Sequence, residues 1–460
     1  MEMDKHRSDL TVGAVVPRMV RFAIPLLIAQ ILQALYNVAD MFIVGQFMGD
    51  AGITAVNNAA VMLVLITYVV SGFAVAGTVL VAQYVGAKME DEAKKVIGTL
   101  FTIFIFFGAA ITVVGLIVSP QILKLLNTPA EAQVEAVRYL RICFGGTLFI
   151  AGYNAVSSVL RGLGDSRRPM IFVAIAAVIN VVLDYLFVGP LHMGAAGAAA
   201  ATVLAQGISF VLAVITLRRQ NFIFDFKPQS FRIDKSKVGA IVKIGLPSAV
   251  QSTIVNFSYI FVLSNINAYG LAASTAAGVC SKVDTFAILP TMAFSQSVSA
   301  MVGQNLGAGK PRRALQSMFT GMALSLIFTM PIFFFVRAFP AQIVSAFGCG
   351  ADCVPVAQMY VKRVTIIYIW NCFAFNINGL ANGSGNSLFA MLNALTGMVV
   401  TRILLVTIFT QVLGWGLEGI FIAMGLCQLA GLCTGTIFLL SKRWMRTRVI
   451  DRGGAQAAGE

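Results

Sequence analysis

Apolar stretches of helix-spanning length follow one another along this chain from residue 17 to residue 440, separated only by short polar punctuation. A helix crosses a bilayer with ~20 mostly apolar residues. Windows between the polar breaks give spans at 17–40, 53–80, 95–119, 134–159, 169–189, 194–217, 240–265, 272–301, 315–337, 356–380, 388–412 and 417–440. The reading is an all-α membrane protein with twelve transmembrane helices, which leaves little chain for a soluble domain. Composition agrees: 58% of residues are apolar and 11% charged, where soluble domains carry about a quarter charged.

The polar residues outside the spans are predominantly basic. A formal net charge of +14 would suggest a nucleic-acid partner in a soluble protein, but placement explains it better here. With the termini on one side, that side collects 25 of the 33 Lys and Arg residues, the opposite side holds six, and Lys282 and Arg402 fall inside spans. Such a bias is the positive-inside pattern, so both termini are expected in the cytoplasm, with no nucleic-acid partner. Residues Met1 to Val16 lack a short apolar region with a small-residue cleavage site, so no cleavable signal is expected. Of seven cysteines, Cys143, Cys280, Cys372, Cys427 and Cys433 lie in spans and read as small apolar side chains. Cys349 and Cys353, in an outer loop, are either free thiols or a loop staple. Two ligands do not make a metal site, and no metal is expected there.

The pattern repeats. Gln83-Tyr-Val-Gly-Ala87 matches Gln304-Asn-Leu-Gly-Ala308, Pro25 falls against Pro247, and Gly164-Asp-Ser166 falls against Gly385-Asn-Ser387, all at a shift of about 221 residues. Gly194 with Gln206 likewise matches Gly416 with Gln428. Six spans per repeat make the halves parallel, as in some secondary transporters. The expected organisation is an N-lobe over 1–217, a cytoplasmic linker over 218–238, a C-lobe over 239–445 and a cytoplasmic tail over 446–460. By analogy at the level of the fold, a substrate site lies between two pseudo-symmetric six-helix bundles.

Against this apolar background the polar exceptions carry the chemistry. Asp40 stands near the end of the first span, where Gln33 and Tyr36 share its helix face. Asn180 and Asp184, four apart, stack on the fifth span. Thr202 on the sixth and Asn154 on the fourth add hydrogen-bonding groups. Ionisable residues inside a membrane mark ion or proton paths by default. Burial and mutual repulsion favour a proton on such a carboxylate pair; the same oxygens, with Asn180 and Thr202, could instead hold Na⁺. Pro25 removes a backbone hydrogen bond and can kink the first helix. Asp284, in the eighth span, is placed to meet Arg402 or a cationic substrate. Enzyme chemistry finds little support. The two histidines, His6 and His192, lie outside the spans, and no Gly-Lys-Ser/Thr follows the glycine-rich pieces, so nucleotide-driven transport is not expected. Nor is there a filter-like loop or charged ring of the kind a channel needs.

Arg21-Phe-Ala-Ile-Pro25, Leu35-Tyr-Asn-Val-Ala-Asp40-Met-Phe-Ile-Val-Gly45, Ala82-Gln-Tyr-Val-Gly-Ala87, Leu160-Arg-Gly-Leu-Gly-Asp165, Ile179-Asn-Val-Val-Leu-Asp184, Gly194-Ala-Ala-Gly-Ala198 and Gly303-Gln-Asn-Leu-Gly-Ala308 together resemble the multidrug and toxic compound extrusion (MATE) transporters. The bacterial branch with the DinF and MepA efflux proteins is the most similar. The resemblance implies twelve helices in two lobes around a central cavity. It further implies export of amphiphilic, often cationic, small molecules in exchange for H⁺ or Na⁺, with no other cofactor, from a bacterial cytoplasmic membrane. On the family pattern Asp40, Asn180, Asp184 and Thr202 form the cation site. Gln33, Tyr36, Asn154, Gln251, Asn256 and Asp284 are the expected cavity residues, and the working unit is expected to be a monomer. Some branches place acidic residues on the seventh and tenth helices. Here those spans offer Gln251, Asn256, Ser258, Asn371, Asn376 and Asn378, so coupling should rest on the N-lobe. A lipid-linked oligosaccharide or lipid flippase of the same superfamily, or a non-transporting receptor, is the alternative.

Overall fold

The computed structural model describes residues 9–125, 130–219, 222–346 and 349–445. All regular structure among them is helical. In the first half the helices are α1 (Val15–Gly86), α2 (Glu90–Leu125), α3 (Ala130–Gly145), α4 (Thr147–Gly162), α5 (Arg167–Val188) and α6 (Gly194–Arg219). The second half holds α7 (Lys235–Asn267), α8 (Leu271–Gly307), α9 (Pro311–Ala338), the short α10 (Pro340–Ala346), α11 (Val354–Val364), α12 (Ile367–Gly383), α13 (Ser387–Leu395), α14 (Arg402–Thr407), α15 (Gly416–Leu426) and α16 (Gln428–Leu440). Among the described residues ten segments are long and apolar enough to cross a membrane, two of them within α1, and two bent pairs bring the total to 12. Each of the twelve sequence windows corresponds to one of them.

Two of the twelve spans are bent pairs. The fourth breaks by 45° between α3 and α4 and the tenth by 43° between α11 and α12. Neither break contains proline. The first falls at Gly145 and Gly146, where missing side chains make the helix easy to bend. At the second, Thr365 turns its hydroxyl onto the Val361 carbonyl at 2.6 Å, a back-bond that weakens helix continuity. The eleventh span departs from α-geometry differently, with π-turns at Thr396–Thr401 and Ile408–Val412 on either side of α14.

Backbone geometry carries the internal repeat further than sequence does. The turn at Gly164 (φ 84°) recurs at Gly385 (φ 81°), and Gly194 (φ 60°) recurs at Gly416 (φ 57°). Lys88 adopts φ 60° where the second repeat has Gly309 at 73°. The packing repeats too. A Cβ on Gly162 would lie 2.8 Å from the Thr78 carbonyl oxygen, and one on Gly383 would lie 2.5 Å from that of Ser299. In each half a glycine lets two helices touch backbone to backbone.

The chain divides into two compact units that do not follow chain order. An N unit comprises Ile28–Leu246, and a C unit comprises Leu10–Leu27 with everything from Pro247. In this division the chain passes between units next to Pro25 and Pro247, inside α1 and α7. Each unit clasps the borrowed segment with matching residues. In the C unit, Gln304 accepts from the Leu10 amide at 3.0 Å, Asn305 donates to the Leu10 carbonyl at 3.3 Å, and Arg313 donates to that of Val12 at 3.0 Å. The N unit holds Lys237 against the Tyr84 hydroxyl at 2.8 Å and Glu92 at 2.5 Å, while the Asp234 amide donates to Thr99 at 3.1 Å. Tyr84 and Glu92 occupy the repeat positions of Asn305 and Arg313, so one docking place is built twice with different chemistry.

Cys349 and Cys353 are joined by a disulfide, which decides for the loop staple. The other described cysteines are free, and all but Cys433 are buried. The glycine contacts can be tested directly. Gly162→Ala and Gly383→Ala should each destabilise by ~1–3 kcal/mol through overpacking, read as lower melting temperatures in detergent. Unchanged melting in both would show that these helices have room to separate.

Candidate functional site

Within the N unit, three apolar helices bring their polar exceptions to one place. Asp40 comes from α1, Asn180 and Asp184 from α5, and Thr202 from α6. Asn180 is 3% exposed and Asp184 fully buried. Asn180 donates from Nδ2 to Thr202 Oγ1 at 3.4 Å. Asp40 and Asp184 are near enough for their charges to interact, and Tyr36 and Tyr139 lie in the field of both. Three of the four residues have, one helical turn away, a member of a single apolar cluster: Val44 beside Asp40, Val188 beside Asp184 and Ala198 beside Thr202. That cluster keeps water from one side of the site.

Three of the four carry buried oxygens without a donor. Oδ1 of Asp40, Oδ1 of Asn180 and both carboxylate oxygens of Asp184 are buried and find no donor among the described residues. Leaving a buried acceptor unsatisfied costs ~1–3 kcal/mol, and more for a charged group. Four oxygens of this kind in one cluster make a coherent acceptor set, suited to a proton or a small hard cation.

Three further residues of this site escaped sequence analysis. Tyr139 and Cys143, one turn apart on α3, lie within the field of Asp40. Gln206, one turn beyond Thr202 on α6, lies beside the Tyr36 side chain. The i, i+4 spacing of Tyr139 with Cys143 and of Thr202 with Gln206 was the available signal. Of the residues expected to line a cavity, Tyr36 joins the cluster, and Gln33 lies half-buried one turn before it. Asn154 donates to the Ile150 carbonyl of its own helix at 2.8 Å.

In the C unit several polar residues bond one another. Asn376 donates to Ser325 at 2.9 Å, Asn393 donates to Asn378 at 2.8 Å, and Thr434 donates to Asn393. Ser258 donates to the Met398 carbonyl at 2.7 Å and Asn256 to that of Ser252 at 2.8 Å, while Gln251 is half-buried on α7. The expected pairing of Asp284 with Arg402 does not form among the described residues. Asp284 instead accepts from the hydroxyls of Tyr360, at 2.6 Å, and Tyr368. Two phenols satisfy this carboxylate without a counter-charge, while Arg402 is buried beside the first π-turn. No group of three or more His, Cys, Asp or Glu among the described residues could hold a metal ion.

The profile of the MatE family matches this chain twice, over residues 25–186 and again over 247–408. Both matches begin at the prolines beside which the units exchange segments. Among curated proteins, the probable multidrug resistance protein YpnP of Bacillus subtilis is 28% identical over 95% of this chain and 97% of its own. The probable multidrug resistance protein NorM of Thermotoga maritima is 22% identical over 96% of each. Among solved structures, an outward-facing multidrug resistance MATE family transporter superposes with a TM-score of 0.91 at 20% identity, covering 96% of this chain and 98% of that one.

The contrast between the two units has a direct readout. Asn393→Leu strands the Asn378 side-chain oxygen and should destabilise by ~1–3 kcal/mol. Asp184→Asn removes a charge that no protein group satisfies, and should leave the melting temperature unchanged or raise it. A large loss of stability in Asp184→Asn alone would mean that its carboxylate is a structural staple.

Proposed function

The chain belongs to the MatE family, and on that footing we propose that it is a cation-coupled antiporter exporting amphiphilic, cationic small molecules by alternating access. It would work in a bacterial cytoplasmic membrane with both termini in the cytoplasm. The observation that carries the coupling is the set of buried oxygens on Asp40, Asn180 and Asp184 without protein donors. H⁺ or Na⁺ satisfies these oxygens, whereas an empty pair of charged carboxylates in an apolar surround repels itself. The names of the relatives, given for multidrug resistance, support the cargo class.

In this reading the bound ion changes the polar contacts of α1, through Asp40 and the neighbouring Tyr36, on the N-unit side of Pro25. Residues Leu10–Leu27 of the same helix belong to the C unit. Pro25 removes one helical hydrogen bond at the point of crossing, so bending there needs less energy than elsewhere in α1. Ion binding on one side of the proline is thereby linked to the part of the helix held on the other. Tyr139, Cys143 and Gln206 hold the surround of the carboxylates and orient Tyr36.

The test is efflux of a cationic dye from proteoliposomes, driven in turn by a pH gradient and by a Na⁺ gradient. Wild-type protein should respond to at least one gradient. Asp40→Asn and Asp184→Asn should each lose coupled efflux by at least about tenfold, the scale of one lost ionic interaction of ~1.4 kcal/mol, while inserting and melting normally. Normal pumping by both variants would sink the mechanism, and the gradient that drives wild type identifies the ion.

A further inference from the structure

Away from the polar cluster, the N unit contains a furrow of about 460 Å³ between α2, α4 and α6. Its walls are apolar, with Phe104, Ile105, Leu148, Val211 and Ile215 among them. Ile105, Val211 and Ile215 are each more than 40% exposed, on helices that cross the membrane, so the furrow opens where acyl chains lie. The volume falls within the roughly 300–1,000 Å³ of small-molecule sites.

One end of the furrow is built differently. The segment after α6 folds back over it, and Phe226 and Phe231 cover the opening beside Phe101, with ring centroids 5.9 and 6.3 Å from that of Phe101. Phe226 holds φ 53°, a left-handed backbone that a bulky residue adopts only when its surroundings enforce it. Arg218 lines the same end, and its Nη2 donates to the Phe226 carbonyl at 3.2 Å. Arg218 is exposed with Arg219, Lys227 and Arg232 on the basic side of the spans. The nearby acid, Asp225, is already engaged by Ser230 and by Lys227. Eight residues separate Arg218 from Phe210, at ~1.5 Å per residue, so the apolar floor reaches roughly 12 Å into the span.

The geometry points to a binding site for an anionic phospholipid of the leaflet on the basic side, one acyl chain in the furrow and its phosphate on Arg218. Charge complementarity chooses this occupant. A cationic amphiphile, the proposed cargo class, would bring like charge to Arg218. The site is separate from Asp40 and Asp184 and does not depend on the transport reading. Its role is to fix the folded-back segment that leads into Lys237 and α7.

Native mass spectrometry of the full chain, released from micelles with phosphatidylglycerol or phosphatidylcholine of identical chains, tests this. Wild type should retain phosphatidylglycerol preferentially. Arg218→Gln should reduce that preference about fivefold, the share of one basic residue at an anionic lipid surface. Val211→Trp, which fills the furrow, should lose retention of both lipids, and both variants should melt like wild type in phosphatidylcholine. Equal retention of the two lipids by wild type, an unchanged preference in Arg218→Gln, or displacement of phosphatidylglycerol by a cationic dye would each overturn the proposal. Should Val211→Trp fail to fold, the Arg218→Gln comparison still decides.

Discussion

A bilayer interior offers no water to complete a hydrogen bond, so each polar group placed there must find its partner within the chain. The C unit meets part of this demand from its own side chains: Asn376, Asn378, Asn393 and Thr434 bind one another or a neighbouring helix, and Asp284 is closed off by two tyrosines. The N unit leaves carboxylates short of donors in one cluster, where Asp40, Asn180 and Asp184 keep oxygens with no donor among the described residues. An exception of that size has to be offset by the packing around it. The apolar cluster that meets α1, α5 and α6 one turn from the acidic residues provides that packing.

The two halves show how little identity is needed to keep a geometry. Gly164 and Gly385, and Gly162 and Gly383, preserve the same turn and the same close helix approach. Elsewhere the geometry is kept by different means. A Gly145–Gly146 pair bends the fourth span, whereas a threonine back-bond bends the tenth. The clasp at Tyr84 and Glu92 is cationic at its centre, while its counterpart at Asn305 and Arg313 holds bare backbone carbonyls. What persists is the path of the main chain, and side chains are replaced as long as they hold it. The carboxylate cluster is where the repeat is broken, and that asymmetry concentrates charge chemistry in one unit.

How much of this could be read from the sequence follows from the range of each signal. Spans were legible because hydropathy is local, and Asp40, Asn180, Asp184 and Thr202 stood out as polar letters in apolar words. Tyr139 and Cys143 did not, because both residue types are ordinary members of a buried helix. The tyrosine partners of Asp284 lie 76 and 84 residues away, beyond any periodicity, so an ion pair with Arg402 looked the simpler solution. The π-turns around α14 have no proline or glycine pair to announce them. Pro25 and Pro247 were visible, but hydropathy does not say which bundle a helix end will join.

That last point has a consequence for the chain as a covalent object. Residues 10–27 complete the C unit and residues 235–246 complete the N unit, so neither repeat is a self-sufficient folding module. A nick in the 218–238 stretch would leave two fragments, each holding a helix start that belongs to the other. During synthesis the first residues to enter the membrane must wait for Gln304, Asn305 and Arg313 before their clasp can close. The N unit gains its own last segment much sooner, as soon as Lys237 emerges. The clasp on Leu10 thus closes only 294 residues later, when Gln304 is made.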